Sequence, residues 1–285
     1  MTEPASSGAP SAIVVAVNAG RRCAQTLELA ASLAASAGAD LEVVFVEDPD
    51  LLRLADLPVA FEIDRSSGMS RKIDARSMLR ALRCEVQQVH REIARLGRNT
   101  SLRASVRVVR GHYLTEALVA SARGEVTFVP GASRPLPGDY LPATPAPAMT
   151  PAMSLAMSMG GVSAQRARRA ARRPLWTLFD GSPASIRALR VALTLSREGP
   201  GKLAVLLAGS GGDEIESRKR EAQTVAGTAH LQFLDVGQDW LSKLPRVLAP
   251  GANSLLVLAR TSPALEDSDT RSLLESLSIP VVLVT

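Results

Sequence analysis

The sequence predicts an α/β fold of two tandem, doubly wound parallel-sheet domains, and three observations predict it. First, the two ends of the chain carry one pattern. The aliphatic run from Ile13 to Val17 falls on Leu175 to Phe179, a shift of 162 residues. At that shift Leu27, Ala30 and Leu33 fall on Leu189, Ala192 and Leu195, and Leu41, Val43 and Val44 fall on Leu203, Val205 and Leu206. So long a period is a duplicated domain, not a solenoid turn. Second, the strand runs are continuous and aliphatic, as in sheets covered by helices on both faces. Apolar residues make up 46% of the chain and aromatic residues only 3%, so Leu, Val, Ala and Ile must build the cores. Third, strand and helix patterns alternate through both halves, and 285 residues suit about two domains.

The first copy begins after a Ser-, Pro- and Ala-rich tail, residues 1–10, and runs over 11–133. Strand one, Ile13 to Asn18, leads to a helix and then to strand two, Leu41 to Val46. Glu47-Asp48-Pro49-Asp50 follows, with Asp50 placed to cap a short helix over Leu51 to Leu54. Arg65 to Ser70 reads as a loop. Arg71 to Arg98 reads as one long helix with Ile73, Leu79, Leu82, Val86, Val89, Ile93 and Leu96 as its apolar stripe. Leu102 to Val109 alternates as a half-buried strand, Leu114 to Ala122 is a short helix, and Val126 to Val129 is strand four. No closing strand for this copy is visible.

Residues 134–173 lose periodicity and read as a Pro-, Ala-, Met- and Arg-rich linker. Met153 to Met159 fits one or two helical turns packed on the first copy, or a methionine surface for a partner. The second copy, 174–285, has strands at Leu175–Phe179, Lys202–Ala208, Leu231–Val236, Ser254–Ala259 and Pro280–Val284. Helices lie between them at Pro183–Ser196, Asp213–Val225, Trp240–Leu248 and Thr270–Leu277. Right-handed crossovers make each copy an open sheet with its ligand crevice where the strand order reverses.

Leu178-Phe179-Asp180-Gly181-Ser182, followed by an Ala/Leu-rich helix, resembles the opening of the universal stress protein family. Ile279-Pro280-Val281-Val282-Leu283-Val284 is similar to its terminal strand, and Val17-Asn18-Ala19-Gly20 is a weakened version of the opening. The resemblance implies a flavodoxin-like, Rossmann-like sheet of order 3-2-1-4-5 and frequent dimers. It also implies that some members bind ATP. They set the Asp after strand one against the adenosine and a glycine loop after strand four against the phosphates. That loop runs G-x-x-G, then about nine residues, then G-[S/T]; its glycines let backbone N–H groups approach phosphate oxygens. By this resemblance the second copy's ligand residues are Asp180, Gly181 and Ser182 with Ala259, Arg260, Thr261 and Ser262. The first copy's are Asn18, Gly131 and Arg134. Neither copy keeps the loop: Gly131-Ala132-Ser133-Arg134 has arginine at the second glycine, and Ala259-Arg260-Thr261-Ser262 has no glycine. The second copy retains the Asp, the first a single glycine. ATP or another adenine nucleotide is therefore a ligand to test, with the anion cradle weakened.

Other chemistry reads as structural. Ser182 is an N-cap with Pro183 at the first helical position, and no histidine is placed by sequence to activate it. Gly209-Ser210-Gly211-Gly212 lacks the third glycine of a dinucleotide loop and precedes Asp213 and Glu214, which repel phosphate; it reads as a turn with a capping Asp. Glu47, Asp48 and Asp50 form an acidic group, and His90, His112 and His230 are far apart in sequence, so no metal is expected. Cys23 and Cys84 lack ligand spacing. The charge is +5, with its densest cluster at Arg166 to Arg173 and no interleaved aromatics. That argues for a solvated linker end and against nucleic acid. The uncharged stretch Tyr140 to Ala164 is broken by prolines, which argues against a membrane span. A cytoplasmic, non-enzymatic, stress-type binding or regulatory protein is expected. Its partner would be a nucleotide, another small anion or a protein; an adenine-nucleotide hydrolase and a ligand-free scaffold are the alternatives. The strand Val281–Val284, by resemblance a sheet edge, should pair within the chain as a pseudo-dimer or across a two-fold axis as a homodimer.

Overall fold

The computed structural model describes residues 10–19, 24–63, 68–98, 102–131, 174–198, 202–209, 211–237, 240–248, 254–261, 271, 273, 274, 277 and 279–285. The expected linker over 134–173 and half of the residues of the helix expected over Thr270–Leu277 lie outside them. In the first half the order is β1 (Ala12–Asn18), α1 (Ala24–Ala37), β2 (Asp40–Glu47), α2 (Pro49–Asp56), β3 (Phe61–Ile63), β4 (Ser70–Lys72), α3 (Ala75–Gly97), β5 (Ala104–Arg110), α4 (Tyr113–Ser121) and β6 (Val126–Val129). In the second it is β7 (Leu175–Phe179), α5 (Pro183–Glu198), β8 (Leu203–Leu207), α6 (Gly212–Ala226), β9 (Leu231–Asp235), α7 (Trp240–Leu248), β10 (Leu255–Ala259) and β11 (Val281–Val284).

The 162-residue shift read from the sequence reappears in the strand register. Ile13 pairs with Leu41 across β1 and β2, and Leu175 pairs with Leu203 across β7 and β8, the same register 162 residues on. Leu27, Ala30 and Leu33 of α1 are buried, as are Leu189, Ala192 and Leu195 of α5. The strand β1 is buried from Ile13 to Val17, and β8 throughout, because helices cover both faces.

The second half has the order 3-2-1-4-5, as β9-β8-β7-β10-β11, and the first has 3-2-1-4, as β5-β2-β1-β6. Among the described residues the halves do not form separate sheets. They merge into one nine-stranded sheet, β5-β2-β1-β6-β11-β10-β7-β8-β9. The junction is β11, parallel to β10 on one side and antiparallel to β6 on the other, with Val281 opposite Val129 and Val284 opposite Val126. Beside β6, where a fifth strand of the first half would stand, lies the second half's own fifth strand. Val281–Val284, by resemblance an edge, is interior: the pairing within the chain is the one realised. Thr285 extends the grip, its N–H donating to the Glu125 carbonyl at 3.0 Å and its hydroxyl to the Ser121 carbonyl at 3.1 Å.

The cores follow the sheet rather than the halves. On one face Leu27, Ala30 and Ile93 belong to the same buried cluster as Leu189, Ala192 and Ala222. On the other, Tyr113 and Ala117 share a cluster with Trp240, Leu244, Leu273 and Ile279.

Three local expectations are corrected. The short helix after β2 is capped by Asp48, not Asp50: the Asp50 N–H donates to Asp48 Oδ1 at 2.9 Å, with Pro49 opening the helix. The long helix starts at Ala75, not Arg71, because Asp74 caps it in a reciprocal box with Ser77. Ser70–Lys72 instead pairs antiparallel with Phe61–Ile63 as a small separate ribbon. Third, Asp213 is not the cap of α6; that position is Gly211, which makes no side-chain cap bond, and Asp213 sits in the first turn.

Candidate functional site

Two crevices are set by the topology. Strand order reverses between β1 and β6 in the first half and between β7 and β10 in the second, and ligands of open α/β sheets bind outside the carboxyl ends at such points. Since β11 runs antiparallel to β6, the two crevices open on opposite edges of the common sheet.

In the second half the register carries the motif to the reversal. Thr177 pairs with Val257, so β7 and β10 end side by side, and Asp180 and Arg260 start adjacent loops. The turn is tightly built. Asp180 Oδ1 accepts the Ser182 N–H at 2.9 Å. Between them Gly181 has φ of 81°, the left-handed region that glycine adopts without a Cβ penalty. The Ser182 hydroxyl accepts the Ser185 N–H at 3.1 Å, and the Ser185 hydroxyl donates to the Ser182 carbonyl at 2.9 Å. Ser182 is therefore the cap of α5, as its sequence context predicts. Asp180, Gly181 and Ser182 are all partly exposed. The turn presents a carboxylate, a close-approach backbone and a helix start to the crevice.

Across the reversal Ala259 is buried as the last residue of β10, Arg260 is partly exposed and Thr261 is exposed. The Arg260 N–H donates to the Val284 carbonyl at 2.8 Å, so that amide faces β11 rather than the crevice. Ser262 lies outside the described residues. The loop offers a guanidinium and a hydroxyl in place of a glycine cradle.

A residue the sequence reading did not single out borders the same turn. The Arg218 side chain of α6 crosses the carboxyl ends of β7 and β8. A Cβ on Gly209 would come within 3.0 Å of its Nη1, and one on Gly181 within 3.7 Å of its Nε. Gly209 leaves room for this side chain, whereas a Cβ at Gly181 would make only ordinary van der Waals contact with it. Arg218 Nη2 donates to Glu214 Oε1 at 2.6 Å, one helical turn back, and Glu221 Oε2 would lie 3.4 Å from a Gly181 Cβ. The sequence signal was present: Glu214 and Arg218 stand at i and i+4 on the helix that follows a glycine-rich turn.

In the first half Asn18 ends β1 beside Val46 of β2. Val15 pairs with Phe128, so the same register brings Gly131 alongside Asn18 at the reversal. The structure thus joins these two candidates, whereas Arg134 lies outside the described residues. An amide replaces the carboxylate here, so the crevice differs in charge from its counterpart.

The structure also gathers Asp48, Asp50 and His112 at the carboxyl ends of β2 and β5, their ligand atoms within 4.8 Å of one another. Asp50 and His112 are exposed, Asp48 Oδ1 is engaged by the Asp50 N–H, and Asp50 Oδ1 pairs with Arg53 at 3.2 Å. The chemistry is that of a solvated helix cap with a histidine beside it. No helix among the described residues is long and apolar enough to cross a membrane.

No family model and no curated protein sequence matches the chain. Solved structures do match it. A universal stress protein from Archaeoglobus fulgidus DSM 4304 is 14% identical, with 96% of each chain covered and a TM-score of 0.48. A putative universal stress protein from Pseudomonas aeruginosa UCBPP-PA14 is 14% identical, with 97% of this chain and 94% of that one covered and a TM-score of 0.46. A universal stress protein in complex with cAMP is 20% identical, covers 40% of this chain and 98% of its own, and has a TM-score of 0.33. None of these likenesses bears on the site, which rests on the chain's own residues.

Proposed function

We propose that the chain is a non-enzymatic binding or regulatory protein of the universal stress type, and that its second half holds a small anionic ligand, an adenine nucleotide foremost. The observation that carries this is the Asp180-Gly181-Ser182 turn standing at the carboxyl end of β7, where the strand order reverses. Asp180 would take the ribose or base side of the ligand. The start of α5 and the guanidiniums of Arg260 and Arg218 would supply positive potential toward its phosphates. The glycine-free Ala259–Thr261 loop argues for modest affinity, since few backbone N–H groups can converge on phosphate. The first half, with Asn18 and Gly131, is the weaker site.

Titration calorimetry and thermal shift with ATP, AMP and cAMP test the proposal. Binding in the wild type should fall about tenfold or more in Asp180→Ala, the scale of a lost charge-assisted hydrogen bond, and change little in Asn18→Ala. Equal losses in both variants would move the site. Saturable binding untouched by Asp180→Ala would refute it, and no shift with any nucleotide would leave the scaffold reading in its place. Release of phosphate or AMP from ATP by the purified chain would make it a hydrolase.

A further inference from the structure

The positive charge of the chain is concentrated in one stretch of the first half. Residues 71–110 hold eleven arginines and lysines against three acidic residues, an excess of eight, whereas the whole chain carries only +5. The remainder is net acidic. Such asymmetry is the electrostatic footprint of a polyanion site when the charges share one face. Part of the excess is matched within the protein. Arg103, Arg107 and Arg110 of β5 pair with Asp40, Glu42 and Glu47. Arg95 of α3 pairs with Glu92 at 2.6 Å and with Glu28 of α1 at 2.9 Å.

The other arginines of α3 are unmatched and aligned. Arg76, Arg80, Arg83 and Arg91 of the helix and Arg98 at its carboxyl cap follow one another by four, three, eight and seven residues. Each step is close to a whole number of helical turns, so the five form one row. Gln87 and Ala94 fill the gaps in it, and all seven residues are exposed. Among the described residues no carboxylate forms an ion pair with any of the five guanidiniums. The helix's own acids, Glu85 and Glu92, stand off the row by the same periodicity. At about 1.5 Å per residue the row is roughly 33 Å long, close to one turn of B-form DNA.

The composition of the row selects among polyanions. Guanidiniums take phosphate oxygens two at a time. The row has no aromatic side chain, so unpaired bases would find no stacking platform. It has no large apolar side chain, so a lipid surface would gain nothing beyond charge. A duplex presents its phosphates outward and needs neither. The lack of aromatics, the argument against nucleic acid at Arg166 to Arg173, excludes base stacking here too but not phosphate contact. Two copies set row to row would repel, and residues 132–173 bring six arginines and one aspartate, so neither supplies the counter-charge. We infer that the Arg76–Arg98 row of α3 binds double-stranded DNA through its phosphates, without reading sequence. This surface is in the other half of the molecule from the Asp180 crevice.

Fluorescence anisotropy of the full chain with a labelled DNA duplex two turns long tests this. Affinity should fall with salt at a logarithmic slope of about −4 to −5, the value for five phosphate contacts. Two duplexes of unrelated sequence should bind within about twofold of each other, as phosphate contacts carry no sequence information. Arg80→Gln with Arg83→Gln and Arg91→Gln should weaken binding about tenfold or more and bring the slope to about −2. A control that removes the same charge from exposed positions of the second half, Arg190→Gln with Arg197→Gln and Arg220→Gln, should stay within about twofold of wild type. No binding by the wild type, or a slope shallower than about −2, would overturn the inference whatever the variants do. Equal weakening in the row variant and the control would reduce the effect to net charge and overturn it too. Tighter binding to poly-glutamate or to phosphatidylserine vesicles at the same salt would assign the row to an acidic protein or to a membrane, and the inference would fail.

Discussion

At the scale of single residues the cap at Ser182 was legible in the sequence, and the structure adds what the rest of the turn does: Asp180 accepts the Ser182 N–H and Gly181 takes the positive φ, while Ser182 caps α5. Gly181→Ala should therefore destabilise the protein by about 1–2 kcal/mol, the cost of the left-handed conformation for an L side chain, measured by denaturant unfolding; an unchanged midpoint would mean that the turn relaxes. The pairing of Arg218 with Glu214 is readable from their i, i+4 spacing, but its place beside Gly181 and Gly209 is not, because that depends on how α6 packs. If it contributes to the anionic end of a ligand, Arg218→Ala should weaken ATP several-fold and leave adenosine nearly unchanged. Equal weakening of both would assign the side chain to shaping the turn.

At the scale of elements, long periodic segments were readable and short ones were not. The strands β1, β2, β7 and β8 and the helices between them fall where the aliphatic runs and the 3.6-residue stripes put them, and the repeat even fixes their register. The ribbon of β3 and β4 escaped because three residues hold barely one period of alternation. Its second strand was absorbed into the helix that follows. What separates them is Asp74, whose carboxylate accepts the Ser77 N–H at 2.8 Å. That backbone hydrogen bond is the main reason its pKa lies below the ordinary 3.8. A carboxyl lowered in the folded state stabilises fully above its unfolded pKa and loses that contribution as pH falls through the folded value. Asp74→Asn retains a good cap without the titration. Melting of the two proteins should thus differ in favour of the wild type near neutral pH, and the gap should shrink as pH falls through 3.8 and below. A gap independent of pH would show that the charge adds nothing to the cap.

At the scale of the whole molecule the decisive feature is one strand shared by two halves. The sequence offers no clear closing strand for the first copy and leaves Val281–Val284 unprotected; which of two pairings results depends on contacts across more than 150 residues, beyond any local pattern. In the sheet both edges of β11 are hydrogen bonded, so the usual edge-to-edge route to a dimer is closed through this strand. Among the described residues the sheet ends at β5 and β9, and the β5 side is guarded by Arg103, Arg107 and Arg110, paired with Asp40, Glu42 and Glu47 of β2. Sedimentation should accordingly show no dimer held by β11. The shared strand and the buried clusters that run through both halves also predict that the halves unfold together. Calorimetry of the full chain should give one transition whose calorimetric and van't Hoff enthalpies agree. Val282 is fully buried between Phe128 and Val257. Val282→Lys places an uncompensated charge there and should cost about 3–5 kcal/mol. Because β11 completes both halves, the loss should appear as faster hydrogen exchange in β1 and β7 alike. Loosening confined to the second half would mean that β6 holds its place without β11, and the first half would then be an independent domain despite the common sheet.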